Sequence, residues 1–106
     1  MNQEQIEACI AACVAGAREC RAFCDAHRAD AGMLICVINC RDCAELCEIC
    51  VRGLEHGARV ANALCLACAA ACELCVSAFR MYDAESCKQC TDACCRCAAE
   101  CRKLTA

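Results

Sequence analysis

Residues 36–50 read CVINCRDCAELCEIC, and the five cysteines in this stretch follow one another at steps of four, three, four and three residues. Steps of three and four bring side chains to one face of an α-helix. In a soluble protein that face normally carries leucine, isoleucine or valine and packs into the core. The stretch therefore predicts a helix whose buried face is made of thiols. The opposite face is charged, with Arg41, Asp42, Glu45 and Glu48.

The same spacing recurs in four blocks, which hold every cysteine except Cys95. The blocks are Cys9, Cys13, Cys20 and Cys24; Cys36, Cys40, Cys43, Cys47 and Cys50; Cys65, Cys68, Cys72 and Cys75; and Cys87, Cys90, Cys94, Cys97 and Cys101. Each block predicts one helix, and the four helices should span about residues 3–28, 31–52, 58–82 and 87–103. Because the connectors are short, consecutive helices should be antiparallel neighbours. We predict a single all-α domain over residues 1–106, an up-down-up-down four-helix bundle with a cysteine-lined core.

Residues that commonly begin and end helices support these boundaries. Asn2 and Gln5 resemble a capping box before the first helix, and Ser86 and Gln89 resemble another before the fourth. Gly53 fits the position just after the second helix, where glycine is favoured. The chain has no proline and only four glycines, so little of it is typical of loops.

Charge and hydropathy argue against some classes of partner. The net charge is −3, no basic run stands out and aromatic residues make up 3% of the chain, which disfavours nucleic acids and anionic membranes. The longest uncharged stretch, residues 60–72, is too short to span a bilayer. Glu4 and Glu7 stand where a secretory signal would carry basic residues. We therefore expect a cytoplasmic protein.

Nineteen cysteines in 106 residues require a chemical explanation. A purely structural role is disfavoured because leucine or isoleucine would bury more apolar area at each position. A disulfide scaffold is disfavoured by the odd number of cysteines, by the helical composition and by the expected reducing compartment. Clustered thiols in such a compartment are more typical of ligands for soft metals: Cu(I), Zn(II) or iron–sulfur clusters.

Charge balance favours Cu(I) among these metals. A Zn(II) ion held by four thiolates has a net charge of about −2, and several such sites on one buried axis would accumulate uncompensated charge. Iron–sulfur clusters are usually held by cysteines on a loop rather than along straight helices. One Cu(I) instead offsets one thiolate, and thiols one helical turn apart, with Cβ atoms about 5–6 Å from each other, can share an ion. Many Cu(I) ions could therefore bind while the core stays near neutral.

With these features the chain resembles the bacterial copper storage proteins, specifically the cytosolic branch that lacks an export signal. The resemblance covers essentially the whole chain, from the first cysteine-striped helix to the fourth. It implies that many Cu(I) ions are stored along the core and that the bundles assemble as homotetramers. Two features depart from a regular stripe. Gly16 or Ala17 stands where a thiol is expected, and Cys95 lies off the stripe, where a surface or subunit-contact position is expected.

The stripes predict two different ends for the bundle. At one end they continue into Ile6, Leu54 and Leu104, which should form an aliphatic plug. At the other end they continue into His27 and Met33, whose imidazole and thioether are acceptable ligands for Cu(I). We therefore add His27 and Met33 to the striped cysteines as candidate copper ligands, and predict that copper is loaded and removed at this end.

Simpler roles are open for these two residues. A histidine in the last turn of a helix is often a cation near the helix C-terminus, which would explain His27. Met33 would serve equally as ordinary packing. His56 lies in the second connector and is expected to be solvated.

Other functions compete with Cu(I) storage. A metallothionein-like zinc or general soft-metal buffer would also be rich in cysteine, but its metal-free chain should be largely disordered. A copper carrier needs only one or two sites. A thiol redox enzyme would normally place its C-x-x-C motif after a strand, and no carboxylate pair or Ser/His/Asp pattern suggests another reaction. We therefore predict storage without catalysis, with copper donor or acceptor proteins as further candidate partners.

Overall fold

Four α-helices account for most of the computed structural model, which describes residues 1–106. They are α1 (Gln3–Ala26), α2 (Leu34–His56), α3 (Ala61–Phe79) and α4 (Glu85–Thr105), and a single 3₁₀ turn (Ala31–Met33) precedes α2. No strand is present. Helices α1 and α3 each pack against both α2 and α4, so α1 lies diagonally across from α3, and α2 lies diagonally across from α4. The predicted four-helix bundle is confirmed, and its extents are 41 × 18 × 17 Å.

The start of α1 follows the predicted capping box. The Asn2 side chain accepts a hydrogen bond from the Gln5 backbone N–H at 2.8 Å, and the Gln5 side chain accepts one from the Asn2 N–H at 3.3 Å. Both partners belong to the same turn, so the local sequence is sufficient to specify this helix end.

The predicted end of α2 at Gly53 is wrong. The helix continues to His56, and Gly57, with φ of 64°, is the residue that ends it in the left-handed conformation that glycine adopts without strain. Gly53 is buried inside the helix, where a Cβ would lie 2.5 Å from Cδ1 of Leu64. The glycine therefore leaves room for the Leu64 side chain of α3 rather than ending the helix. His56 lies in the last turn of α2 rather than in the predicted connector, and it is exposed as predicted.

The predicted capping box of α4 is also wrong. The helix begins at Glu85 after Ala84, which provides no side-chain cap, and Ser86 lies inside the first turn. The Ser86 hydroxyl instead lies 3.0 Å from Nε2 of His27. A tertiary contact thus replaces the local one that the sequence suggested.

Helix α3 is shorter than predicted and unusually apolar. By length and composition alone it could span a membrane, which the charge-free stretch of residues 60–72 did not indicate. Its buried residues include Cys65, Cys68, Cys72 and Cys75, all of which face the bundle core. The thiols on the core face, the alanines around them and the leucines Leu64, Leu66 and Leu74 together produce this hydropathy.

The core contains thiols where most bundles have large aliphatic side chains. Among its 27 buried residues the only large hydrocarbon side chains are Phe23, Phe79, Leu54 and Leu104, and the others are cysteines and alanines. No charged or polar side chain is buried. Of the striped cysteines only Cys24 is less than fully buried, whereas Cys95 is exposed, as its position off the stripe predicted.

Candidate metal centre

The buried cysteines of the four helices form one continuous thiol column along the bundle axis. Two tetrads take one thiol from each helix, and within each tetrad all Sγ atoms lie within 4.8 Å of one another. The first tetrad is Cys13, Cys50, Cys68 and Cys101, and the second is Cys20, Cys43, Cys75 and Cys94. Because a helical turn rises about 5.4 Å, steps of three and four residues deliver a thiol to the axis at every turn.

A third group in the middle of the thiol column has no ligand from α1. It consists of Cys47, Cys68, Cys72 and Cys97, so α3 contributes two thiols. The residue of α1 at this level is Gly16, where a Cβ would lie 3.6 Å from both Cys47 Sγ and Cys97 Cβ. The predicted gap in the stripe is therefore located at Gly16.

The groups share members or lie in contact, so that the thiol column has no division into separate sites: Cys43 of the second tetrad lies 3.5 Å from Cys72 of the third group. Two triads extend it outwards: Cys9, Cys65 and Cys101 on one side, and Cys20, Cys40 and Cys90 on the other. Cys68, Cys101 and Cys20 each belong to two groups. A sulfur shared in this way can bridge two metal ions. A linear S–Cu–S unit spans about 4.6 Å if each bond is near the 2.3 Å of Zn–S, which fits sulfurs within 4.8 Å of one another.

Near the two ends of the thiol column, burial favours neutral thiols until a metal arrives. Desolvation by burial raises the pKa of Cys36, Cys65 and Cys87 above the ordinary value. Deeper in the column the shifts within a pair of neighbouring thiols have opposite directions, since the proximity of Cys20 and Cys40 lowers the pKa of Cys40 and raises that of Cys20. Since no cationic side chain is buried, a metal ion must supply the positive charge that several thiolates would need.

The structure places His27 at the predicted end of the bundle, which we call the His27 end, but not among the sulfurs. Its ring stacks on Phe23 with a centroid distance of 4.3 Å. Its Nε2 lies 3.0 Å from Ser86 Oγ, and its Nδ1 lies 3.5 Å from Asp30 Oδ2. His27 belongs to none of the thiol groups. Met33 at the same end is half-buried and packs against the core.

The sequence analysis missed three residues at this end. Phe23 follows Cys20 by three positions, so the stripe spacing could have revealed that it continues the buried face of α1. Asp30 follows His27 by three positions, so this contact was within reach of a local spacing argument, whereas Ser86 lies 59 residues from His27 and could not have been found in this way. The chain therefore does bring Asp, His and Ser together, although no sequence pattern indicated it.

The opposite end of the thiol column agrees with the predicted aliphatic plug. Leu54 at the end of α2 and Leu104 at the end of α4 are buried. Ile6, in the first turns of α1, is half-buried and packs against the same core. These side chains offer no ligand atom to a metal.

The fold and the thiol column define a class: a four-helix-bundle protein that binds soft metal ions through thiols lining its axis. The sequence profile of the copper storage proteins matches residues 2–106, and the chain belongs to the copper storage protein family. Among curated proteins, none is significantly similar in sequence.

Two solved structures resemble the whole bundle. One is the Cu(I)-bound copper storage protein BsCsp3, with a TM-score of 0.87 and 28% identity over 96% of this chain and 99% of that one. The other is apo-Csp3, copper storage protein 3, from Bacillus subtilis, with a TM-score of 0.86 and 30% identity over 94% of this chain and 98% of that one. The predicted family, fold and copper storage role are thereby confirmed.

Proposed function

We propose that this chain holds many Cu(I) ions at once as thiolate complexes along its axis, in the cytoplasm and without catalysing a reaction. The observation that carries the proposal is the thiol column itself, in which neighbouring groups of three and four sulfurs run from Cys9 to Cys90. A carrier that exchanges one or two ions would not need such a column. The Cu(I)-bound state of a bundle with the same fold supports the choice of metal.

Anaerobic titration of the reduced protein with Cu(I), against a competing chelator, tests this proposal. We expect tight uptake of well over ten equivalents, since one Cu(I) can offset each thiolate and soft ligands select this ion. Saturation at one or two equivalents would overturn storage as the function.

A zinc or general soft-metal buffer of the metallothionein type is the second candidate, and the order of the metal-free protein separates the two. The helices here are amphipathic, and α1 carries a complete capping box, so the bundle should form around protonated thiols. Circular dichroism of the reduced, metal-free protein should show a largely helical chain. A spectrum of a disordered chain that becomes helical only with Zn(II) would favour the buffer.

We further propose that copper is loaded and removed at the His27 end. The opposite end is closed by Leu54 and Leu104, which cannot bind Cu(I), whereas His27 and Met33 can. Replacing His27 and Met33 together by alanine should slow both loading and removal by a chelator while leaving capacity nearly unchanged. Unaltered rates would contradict this direction of transfer.

Assembly into a homotetramer is also part of the proposal, and it rests chiefly on family resemblance. The groove between α2 and α3 gives it physical support, since Leu46, Ala67, Ala70, Ala71 and Leu74 line it and Leu74 is 62% exposed. Light scattering of wild type and Leu74→Glu tests the assembly, with the wild type expected to have four times the chain mass and the variant less. Copper donor and acceptor proteins are the other proposed partners.

A further inference from the structure

Each end of the thiol column is closed by two side chains from diagonally opposite helices. Leu54 of α2 and Leu104 of α4 close one end. Phe23 of α1 and Phe79 of α3 close the His27 end, where they are only 2% and 3% exposed. The two phenyl rings meet edge to face with centroids 4.9 Å apart. The end that carries His27 is thus covered by an aromatic pair rather than open.

On α1 and α3, the aromatic pair lies between the solvent and the second tetrad. Phe23 comes three residues after Cys20, and Phe79 comes four residues after Cys75, so each ring lies one turn beyond a tetrad thiol on the same helix face. A Cu(I) ion that reaches the axis between α1 and α3 at this end passes the aromatic pair, and displacement of at least one ring would open that route.

His27 connects the aromatic pair to α4. Its imidazole stacks on the outer side of the pair at Phe23, and its Nε2 forms a hydrogen-bonded pair with Ser86 Oγ at 3.0 Å. The contact joins the residue that follows α1 to the first turn of α4. A second link crosses the same end, where the Tyr82 hydroxyl donates to the Gly32 carbonyl at 3.1 Å.

The position of Ser86 indicates that its hydroxyl has a role other than helix capping. Serine at the start of a helix usually accepts a hydrogen bond from a backbone N–H of the first turn. In α4 the capping position is occupied by Ala84, and no side chain caps the helix. The Ser86 hydroxyl is directed to His27 instead, so its effect is on the imidazole.

We infer that Ser86 is a positioning residue for copper transfer: its hydrogen bond holds the His27 imidazole over Phe23 and thereby keeps the aromatic pair closed. When that bond breaks, the imidazole is free to take a Cu(I) ion and the rings can separate. This inference rests on the proposed function, and specifically on transfer at the His27 end.

Transfer kinetics of the reduced full-length protein test the inference. Stopped-flow loading from a Cu(I)–chelator complex, and removal by excess chelator, should be about two- to tenfold faster in Ser86→Ala, the factor that one neutral hydrogen bond contributes to an equilibrium. Capacity should not change. Ser86→Thr, which keeps the hydroxyl, should retain wild-type rates. The matched control is Thr105→Ala, because that hydroxyl bonds only carbonyls of its own helix at the opposite end.

A spectroscopic readout separates positioning from general loosening of the bundle. The ¹⁵N chemical shifts of the His27 ring should change in Ser86→Ala and return in Ser86→Thr, while the melting temperature of the apo protein falls by no more than the few degrees expected for one hydrogen bond. Phe79→Leu, which keeps an apolar side chain but removes the ring contact, should also speed transfer.

Three results would overturn the inference. They are unchanged rates in Ser86→Ala despite shifted His27 signals, equal acceleration in Thr105→Ala, and acceleration that only tracks a lowered melting temperature. A failure of the proposed function is distinguishable, because it would appear as a low Cu(I) capacity in wild type rather than as unaltered rates at full capacity.

Discussion

Gly16 of α1 lies directly opposite Cys47 of α2, at a distance where a Cβ on Gly16 would be 3.6 Å from the Cys47 sulfur. This is ordinary van der Waals contact, so the position can accept a side chain. Because Gly16 has no side chain, the third group of thiols receives two ligands from α3 and none from α1.

Gly16→Cys should add a ligand to the thiol column. The new thiol would face Cys47 and Cys97, and we expect the Cu(I) capacity to rise by about one equivalent, following one Cu(I) for each thiolate. Anaerobic chelator competition measures this. Ala17→Cys is the matched control, because Ala17 lines the groove between α1 and α2 instead and its thiol should add little capacity. Equal gains in both variants would contradict the assigned geometry.

Gly16→Ala should stabilise the metal-free protein by about 0.5–1 kcal/mol, since alanine is favoured over glycine inside a helix. Gly53→Ala makes the same exchange in α2, but there the added Cβ would be 2.5 Å from Leu64. The half-buried Leu64 side chain must turn aside to make room, and this movement should cancel part or all of the gain. Urea unfolding of both variants tests this, and a Gly53→Ala more stable than Gly16→Ala would be contrary to expectation.

The metal-free bundle should lose stability as the pH rises above about 8.5, the ordinary value for a cysteine. Burial raises the pKa of Cys36, Cys65 and Cys87 in the folded state. The folded chain therefore keeps protons that the unfolded chain loses, and the free energy of unfolding falls with pH in that range. Below the unfolded-state pKa the stabilisation is fully present. Unfolding at pH 7, 8.5 and 9.5 under reducing conditions should show the decline.

Copper binding should respond to pH in the opposite direction. Each thiol must release its proton to become a ligand, so apparent affinity rises with pH, by about tenfold per pH unit for each proton released. Chelator competition between pH 6.5 and 8 measures the slope, after correction for protonation of the chelator. An affinity independent of pH would mean that the ligands are already ionised in the metal-free protein.

Cys94 and Cys95 offer a direct comparison between neighbours. Cys94 belongs to the second tetrad, whereas Cys95 is exposed. Cys94→Ser should lower capacity and destabilise the apo protein by about 1 kcal/mol or more, because a hydroxyl is more costly to bury than a thiol. Cys95→Ser should leave both nearly unchanged. Matching losses in the two variants would place Cys95 in the metal site as well.

The periodicity of cysteine was sufficient to predict the bundle and the thiol column. A spacing of three and four residues allows only one arrangement on a helix, and four such helices with charged outer faces have one economical way to bury their thiols. The capping box of Asn2 and Gln5 was predictable for a related reason, since both partners lie in one turn. The gap near Gly16 and the exposed position of Cys95 were predicted from the same spacing of cysteines.

Only the tertiary structure decides which residues from distant segments of the chain come into contact. Gly53 and Ser86 carry the local signals of helix ends, but the contact of Gly53 with Leu64 and that of Ser86 with His27 assign them other roles. The closure of the His27 end by Phe23 and Phe79 likewise depends on two helices that are not neighbours in the bundle. Spacing along one helix determines which face a side chain occupies. Its partner across the core depends on how the four helices pack, and the sequence of a single helix does not contain that information.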